Sequence, residues 1–489
     1  MYTSMAMMAN PPPTLGITVM PEWFQCEGIE PVLDRLQAAG ATALATSPYL
    51  LEIVAEGEGA REPPPDGDAG GVRPLDRALW GRRETWVRTA PSLTHDLARY
   101  RGLRYQPSPP GGLTARQPRL IDDLVEATAR RGIAVHLQVM AASPPGYRVQ
   151  FSSAVDDDLC LGPDGLPHAE RVDRNASLAS PHVLDYGATL LAELAQRYPG
   201  VAGFRIDWPE YPPYDLRSTL FDFSAHADAA LKAEGVEPAA YGLHVMSCLA
   251  GWRAAARDAA VRGPQAVRAA LHQAGWDSFF GEAGDGVPLW TAKRAAVAAL
   301  LRRYRQALDA VPGPRRLLEP QVFPAPLTRW SGFDWPALAG TADAVGVKLY
   351  TMHWPMIARY WARDLVGAQD AAALDAVTAA MADFMGFCDG GLPDGGALHY
   401  PPPDRAHPVG ARAQGDKIAQ AQRDAGEVPV IAFAHSYGPA DDVEHRLRLA
   451  WDASRAAGSG RLWVNRYGYL SDDKLARLGR LNRPDTPTP

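Results

Sequence analysis

The stretch GFRIDWPEYPPY (203–214) gathers the residues of this chain best able to do chemistry. As a strand it places Gly203, Arg205 and Asp207 on one face, with Asp207 at the tip and Arg205 one layer below. A guanidinium that close keeps a carboxyl ionised, which suits a nucleophile or an electrostatic stabiliser. Glu210 follows in the loop beside Trp208, Tyr211 and Tyr214, and aromatic rings next to carboxylates suit the apolar C–H face of a pyranose. A second carboxylate comes from Glu319, read as the end of RLLE (316–319), because Pro320 cannot continue a central parallel strand. Two carboxylates flanking a glycosidic bond, one ionised and one holding a proton, are the minimum apparatus for its hydrolysis. Asp207 is the expected nucleophile or stabiliser and Glu319 the expected general acid/base. Glu210 is either auxiliary or the acid itself.

Other polar side chains sit where further strand-like runs stop. KLYTMHWP offers Lys348, Tyr350, His353 and Trp354, and AFAHSYGP offers His435 and Tyr437. VNRYGY offers Asn465 and Tyr467, VMPEWFQCEG offers Glu22 and Trp23, and HLQVM carries His136 and Gln138 deeper in its strand. Lys, His, Asn and Tyr hydrogen-bond hydroxyl groups, and Trp stacks on a sugar face. His136, His353 and His435 have no HxH, HExxH or Cys/His spacing, so no metal is expected, and no cofactor either. The run Asp156-Asp157-Asp158 lacks the alternation of a calcium loop and reads as a solvated turn. Ser436 beside His435 makes no triad, because no GxSxG elbow precedes a helix.

These tips need a scaffold that brings them together. Strand-like runs at 15–20, 41–47, 132–140, 201–207, 316–319, 344–352, 428–437 and 461–469 alternate with amphipathic helical sequence. Eight such units predict a parallel sheet closed into an α/β (β/α)₈ TIM barrel. A doubly wound sheet is the runner-up, but nothing like GxGxxG follows the first run. The barrel is expected over 14–482, with loose tails at 1–13 and 483–489. Long insertions at 48–115, 208–290 and 389–427 are expected to wall the C-terminal face, where barrel active sites lie.

With 46% hydrophobic and 21% charged residues over 489 positions, the chain has ample material for a core and is not disordered. A net charge of −7 without a basic run argues against nucleic acid as a partner. No apolar run nears the ~18 residues of a membrane span. MYTSMAMMANPPP does not read as a secretory signal, and four scattered cysteines fit reduced thiols, so a cytoplasmic location is expected. Oligomeric state is not legible.

YPGVAGFRIDWPEYPPY, preceded by NASLASPHVLDYGATLLAELAQRYPG, resembles the strand-four region of glycoside-hydrolase-like TIM barrels, the hypothetical glycosyl hydrolase families. FDFSAHADAALKAEG, GVKLYTMHWPMI and RYGYLSDDKLARLG also look like parts of such proteins, so the resemblance runs from about Leu15 to Leu478. A more distant similarity is to the α-amylase-like clan, in which strand four supplies a nucleophilic Asp and a Glu ending strand five the acid/base. Arg205, Asp207 and Glu319 stand at those positions. The chain departs from the clan at FAHSYGP, which has His435 without an adjacent Asp, and at HLQVM, which lacks an Asp and an Asn-His. The resemblance implies a saccharide substrate and glycosidic hydrolysis. Two alternatives stand beside it. One is a non-catalytic saccharide-binding barrel or assembly subunit, with each carboxylate tied to a basic partner. The other is a lyase or amidohydrolase using Lys348 or the histidines.

Overall fold

The computed structural model describes residues 14–65, 73–153, 155–168 and 175–482, so both expected tails lie outside it. Eight parallel strands follow one another round a closed barrel: β1 (Thr14–Thr18), β2 (Ala43–Thr46), β3 (Ala134–Met140), β4 (Gly203–Asp207), β5 (Leu317–Val322), β6 (Val345–Leu349), β7 (Val430–His435) and β8 (Arg461–Asn465), with β8 paired back to β1. The chain is a TIM barrel. Strands buried on both faces explain the short apolar runs. Leu15 and Ile17 face the helices, while Gly16 turns inward, where a Cβ would fall 2.3 Å from the Trp463 ring.

The outer helices follow from local signals. Helix Pro181–Arg197, which leads into β4, starts with Pro181 in its first turn and with the Ser180 hydroxyl accepting from the Val183 N–H. It buries Tyr186, Leu190, Leu191 and Leu194. Gly187 lets helix Pro288–Asp309 approach, since a Cβ there would lie 2.2 Å from the Tyr304 hydroxyl. In the first insertion, strands Tyr49–Ile53, Ala60–Glu62 and Thr85–Pro91 form an antiparallel sheet. The second carries helices Pro238–Ala260, Pro264–Gln273 and Trp276–Phe280, where Trp252, Trp276, Phe279 and Phe280 pack edge to face. The third ends in helix Ala413–Ala425, which leads into β7.

Two expectations are corrected. β5 does not stop at Glu319 but runs through Pro320 to Val322. Pro320 has no N–H to give the ladder, and pairing with β6 is confined to Gln321 and Val322, just beyond it. The Asp156-Asp157-Asp158 run is not a wholly solvated turn. Asp158 is fully buried, accepting from the Ser180 hydroxyl at 2.8 Å and from Tyr105, with His226 at 2.6 Å. None of Cys26, Cys160, Cys248 and Cys388 is in a disulfide. Among the described residues no helix is long and apolar enough to cross a membrane.

Candidate functional site

Alternation along the strands divides the inward side chains into rungs. β4 and β5 set Arg205 opposite Glu319, and Asp207 opposite Gln321 one rung nearer the mouth. The lower rung is closed. The Arg205 guanidinium lies 3.7 Å from the Trp463 ring centre and 4.6 Å from that of Phe433, and donates to Gln321 Oε1 at 2.5 Å. Glu319 Oε2 sits 3.4 Å from both Arg205 Nη1 and His136 Nδ1. Burial brings Arg205 down to about 10 and lowers His136 as well. Glu319 is therefore not at the rim, as the sequence reading had it. The prolonged β5 puts Gln321 there instead. Gly346 makes room for that amide, since a Cβ would fall 2.0 Å from Gln321 Oε1.

The rim belongs to Asp207. Its Oδ1 lies 2.8 Å from Lys348 Nζ and accepts the Trp208 N–H at 3.0 Å, while Oδ2 accepts Gln138 Nε2 at 3.2 Å. Two hydrogen bonds and an ion pair fix the carboxylate in place. The cation beside it is thus Lys348, from β6, with Arg205 committed to the rung below. Trp208 reaches its position with φ at +46°, a left-handed backbone that costs a bulky residue on the order of 1–3 kcal/mol. Asp207 keeps 21% side-chain exposure, whereas Lys348 keeps 3% and lies 5.0 Å from the Phe323 ring centre and 6.0 Å from that of Trp208.

Tyr350, His353 and His435 continue the mouth past β6 and β7, with ring centres 5.7 Å and 5.2 Å apart about Tyr350. His435 Nδ1 accepts the Tyr437 N–H at 3.0 Å, so a neutral ring carries its proton on Nε2. Burial, with Arg73, His353 and Arg466 adding to it, pushes His435 well below the usual histidine range. Asn465 pairs with His435 in register and is slightly exposed.

Glu210 is fully buried behind the rim. Its two oxygens accept from the Phe323 N–H at 2.6 Å and the Ser331 hydroxyl at 2.5 Å. Burial raises it to about 7, against the pull of Lys348 and those two hydrogen bonds. Glu22 is likewise sealed, between Tyr49 Oη at 3.1 Å and Arg148 Nη1 at 3.4 Å, and burial plus the nearby Glu62 raise it to about 7. For Glu62 burial acts upward, but Arg148, at 2.9 Å, and Arg466 outweigh it and hold the carboxyl low.

Several expected sugar ligands are packing residues instead. Trp23 packs edge-on to Tyr467, whose hydroxyl donates to Glu27 at 2.8 Å. Trp354 stacks on Phe387, Tyr211 is buried under the Lys293 ammonium, and the Tyr437 hydroxyl donates to the Pro401 carbonyl. In each case the ring is taken up by neighbouring side chains or main chain of the protein. Sequence reasoning passed over Gln321, hidden behind the misread Pro320. It also passed over Arg466, although Asn465 and Tyr467 on either side were singled out. Arg148 and Glu62 carry no local signal, because they meet only through the insertions. Among the described residues no group of three or more His, Cys, Asp or Glu is arranged to hold a metal ion.

No family model matches the chain, and no curated protein sequence does. Solved structures resemble it in fold at low identity. The β-galactosidase of the psychrophilic Marinomonas ef1 is 12% identical, with 93% of this chain and 54% of that one covered and a TM-score of 0.48. The β-galactosidase of Bacillus circulans sp. alkalophilus is 10% identical over 93% and 50%, with a TM-score of 0.46. The catalytic domain of a β-amylase from Paenibacillus polymyxa is 12% identical over 97% and 100%, with a TM-score of 0.45. The chain spans about half the length of the two β-galactosidases.

Proposed function

We propose that the chain is a glycoside-hydrolase-like barrel that takes a saccharide at its C-terminal mouth and acts on a glycosidic bond through Asp207. The observation that carries this reading is the setting of Asp207: a rim carboxylate reached by solvent, hydrogen-bonded from β3 and its own loop and ion-paired with Lys348 of β6. Such a group stabilises or attacks a carbon that turns cationic as the bond breaks. Trp208 and Tyr350 offer faces for the ring, and His353 and His435 offer hydrogen bonds to its hydroxyls. Glu210 is the carboxyl that keeps a proton near neutral pH, and Lys348 lies in the field of both carboxylates. That pairing of an ionised with a protonated carboxyl is the one hydrolysis needs. Proton delivery requires the Phe323 segment to yield, because Glu210 is sealed behind it in this structure.

A specific observation favours a second reading, a saccharide-binding barrel without turnover. Asp207 and Glu319 each have a cation of their own, Lys348 and Arg205, and the rim rung of β5 holds the amide Gln321. One experiment separates the two. The protein is screened against aryl glycosides and oligosaccharides, with Asp207→Asn and Glu210→Gln as controls and calorimetry alongside. Hydrolysis that disappears in Asp207→Asn, with folding intact, supports the enzyme. Heat of binding without turnover supports the binding barrel, and turnover undiminished in Asp207→Asn overturns the assignment.

A further inference from the structure

The chain has only 5 lysines among its 49 basic residues. Lys232 is exposed on the surface. Three others are buried and share one job. Lys293 donates to the carbonyls of Thr219 and Trp330 at 2.6 and 2.9 Å, and Lys417 to those of Ala325 and Met385 at 2.6 and 2.8 Å. Lys474 donates to the carbonyls of Ser436 and Tyr469 at 3.0 and 3.1 Å. A compact ammonium with three rotatable donors suits converging carbonyls, although Arg316 and Arg446 also serve pairs of carbonyls here.

Lys348 breaks this pattern. It is as buried as the staples, yet it donates to no carbonyl, and its one polar partner among the described residues is Asp207. Its Nζ lies 5.0 Å from the Phe323 ring centre and 6.0 Å from that of Trp208, beside the rim carboxylate that solvent reaches. For the ion pair alone an arginine, with its bidentate fork, is the better residue. What lysine adds is an amine that becomes a nucleophile on losing one proton, beside a carboxylate able to take it.

We propose that Lys348 is a carbonyl-reactive amine that forms an imine with a small hydroxyaldehyde or hydroxyketone, the open-chain form of a sugar. Asp207 takes a proton from the ammonium, and the freed lone pair forms the C–N bond to the carbonyl carbon. The carbonyl π electrons move to oxygen, which takes that proton back from Asp207 as a hydroxyl group. Asp207 then moves a second proton from nitrogen to this hydroxyl. Water leaves, the nitrogen lone pair forms the C=N bond, and the result is a protonated imine beside a regenerated carboxylate. This goes beyond the hydrolytic reading and does not depend on it.

The test is reductive trapping of the full chain with glyceraldehyde, dihydroxyacetone or glycolaldehyde in the presence of cyanoborohydride, followed by peptide mass mapping. The expected result is an adduct at Lys348 forming about tenfold or more faster than at exposed Lys232. Lys348→Arg, which keeps a cation beside Asp207, loses that adduct, and Asp207→Asn slows it. Labelling of Lys232 with none at Lys348 from all three probes overturns the proposal in the unaltered protein, whether or not a variant folds. The readout is a mass increment, so its failure leaves the glycoside screen standing, and a failed glycoside screen leaves it standing in turn.

Discussion

Arg205 and Glu319 face each other on adjacent strands, 3.4 Å apart, one rung beneath the rim. The pair is enclosed by Trp463, Phe433 and His136, so neither charge has water to fall back on.

Removing one partner leaves the other charge buried and uncompensated, which costs about 3–5 kcal/mol. Glu319→Gln is therefore expected to lose that much stability in denaturant unfolding while the folded fraction keeps its ligand affinity. A variant that unfolds like the parent but has lost turnover would return Glu319 to the catalytic role expected from the sequence.

Glu210 makes stability depend on pH in a defined direction. Burial raises its folded value to about 7 from an unfolded 4.5. The contribution is therefore fully present below about 4.5 and is lost as pH rises through about 7, amounting to roughly 3 kcal/mol at most. Glu210→Gln imitates the protonated form. Parent and variant should unfold alike at pH 4, and the variant should be the more stable at pH 8. Parallel unfolding curves between those pH values would count against the buried, proton-holding carboxyl.

The lysine staples predict an order of effects. Lys293→Met and Lys417→Met each leave two buried carbonyls without their donor, at about 1–3 kcal/mol per orphaned group. Lys348→Met orphans only Asp207, which keeps two other donors and some solvent. Thermal unfolding should rank Lys348→Met as the mildest of the three. If it proves the most damaging, the ion pair is a structural brace.

The barrel was legible because its signal is repeated. Eight apolar runs between amphipathic helices leave few other folds, and β3 and β4 end at the expected residues, Met140 and Asp207. The site was legible only where periodicity ran undisturbed. Alternation from Gly203 carried Arg205 and Asp207 to their rungs, and alternation through KLY carried Lys348 and Tyr350. At Pro320 a single missing N–H looked like a strand end, and the one-rung error that followed promoted Glu319 and hid Gln321. Glu22 was singled out, but its meeting with Glu62, Arg148 and Arg466 was beyond reach for a different reason. Their meeting depends on an insertion folding back over the barrel, which no local pattern encodes.

That folding back has a consequence for how the molecule is assembled. The first insertion is fastened by residues made some four hundred positions later: Glu62 by Arg466, and Asp76 by Lys474 at 2.7 Å. β1 gains its β8 neighbour equally late. While the chain emerges from the ribosome the early sheet has a place to rest but nothing to latch it, and its buried acid stays open to water. Contacts so distant in sequence form slowly and leave unpaired strand edges exposed meanwhile. A nascent chain arrested before Arg466 should be readily cut by protease between 49 and 91, and the same segment should become resistant once the final strand and Lys474 have been released.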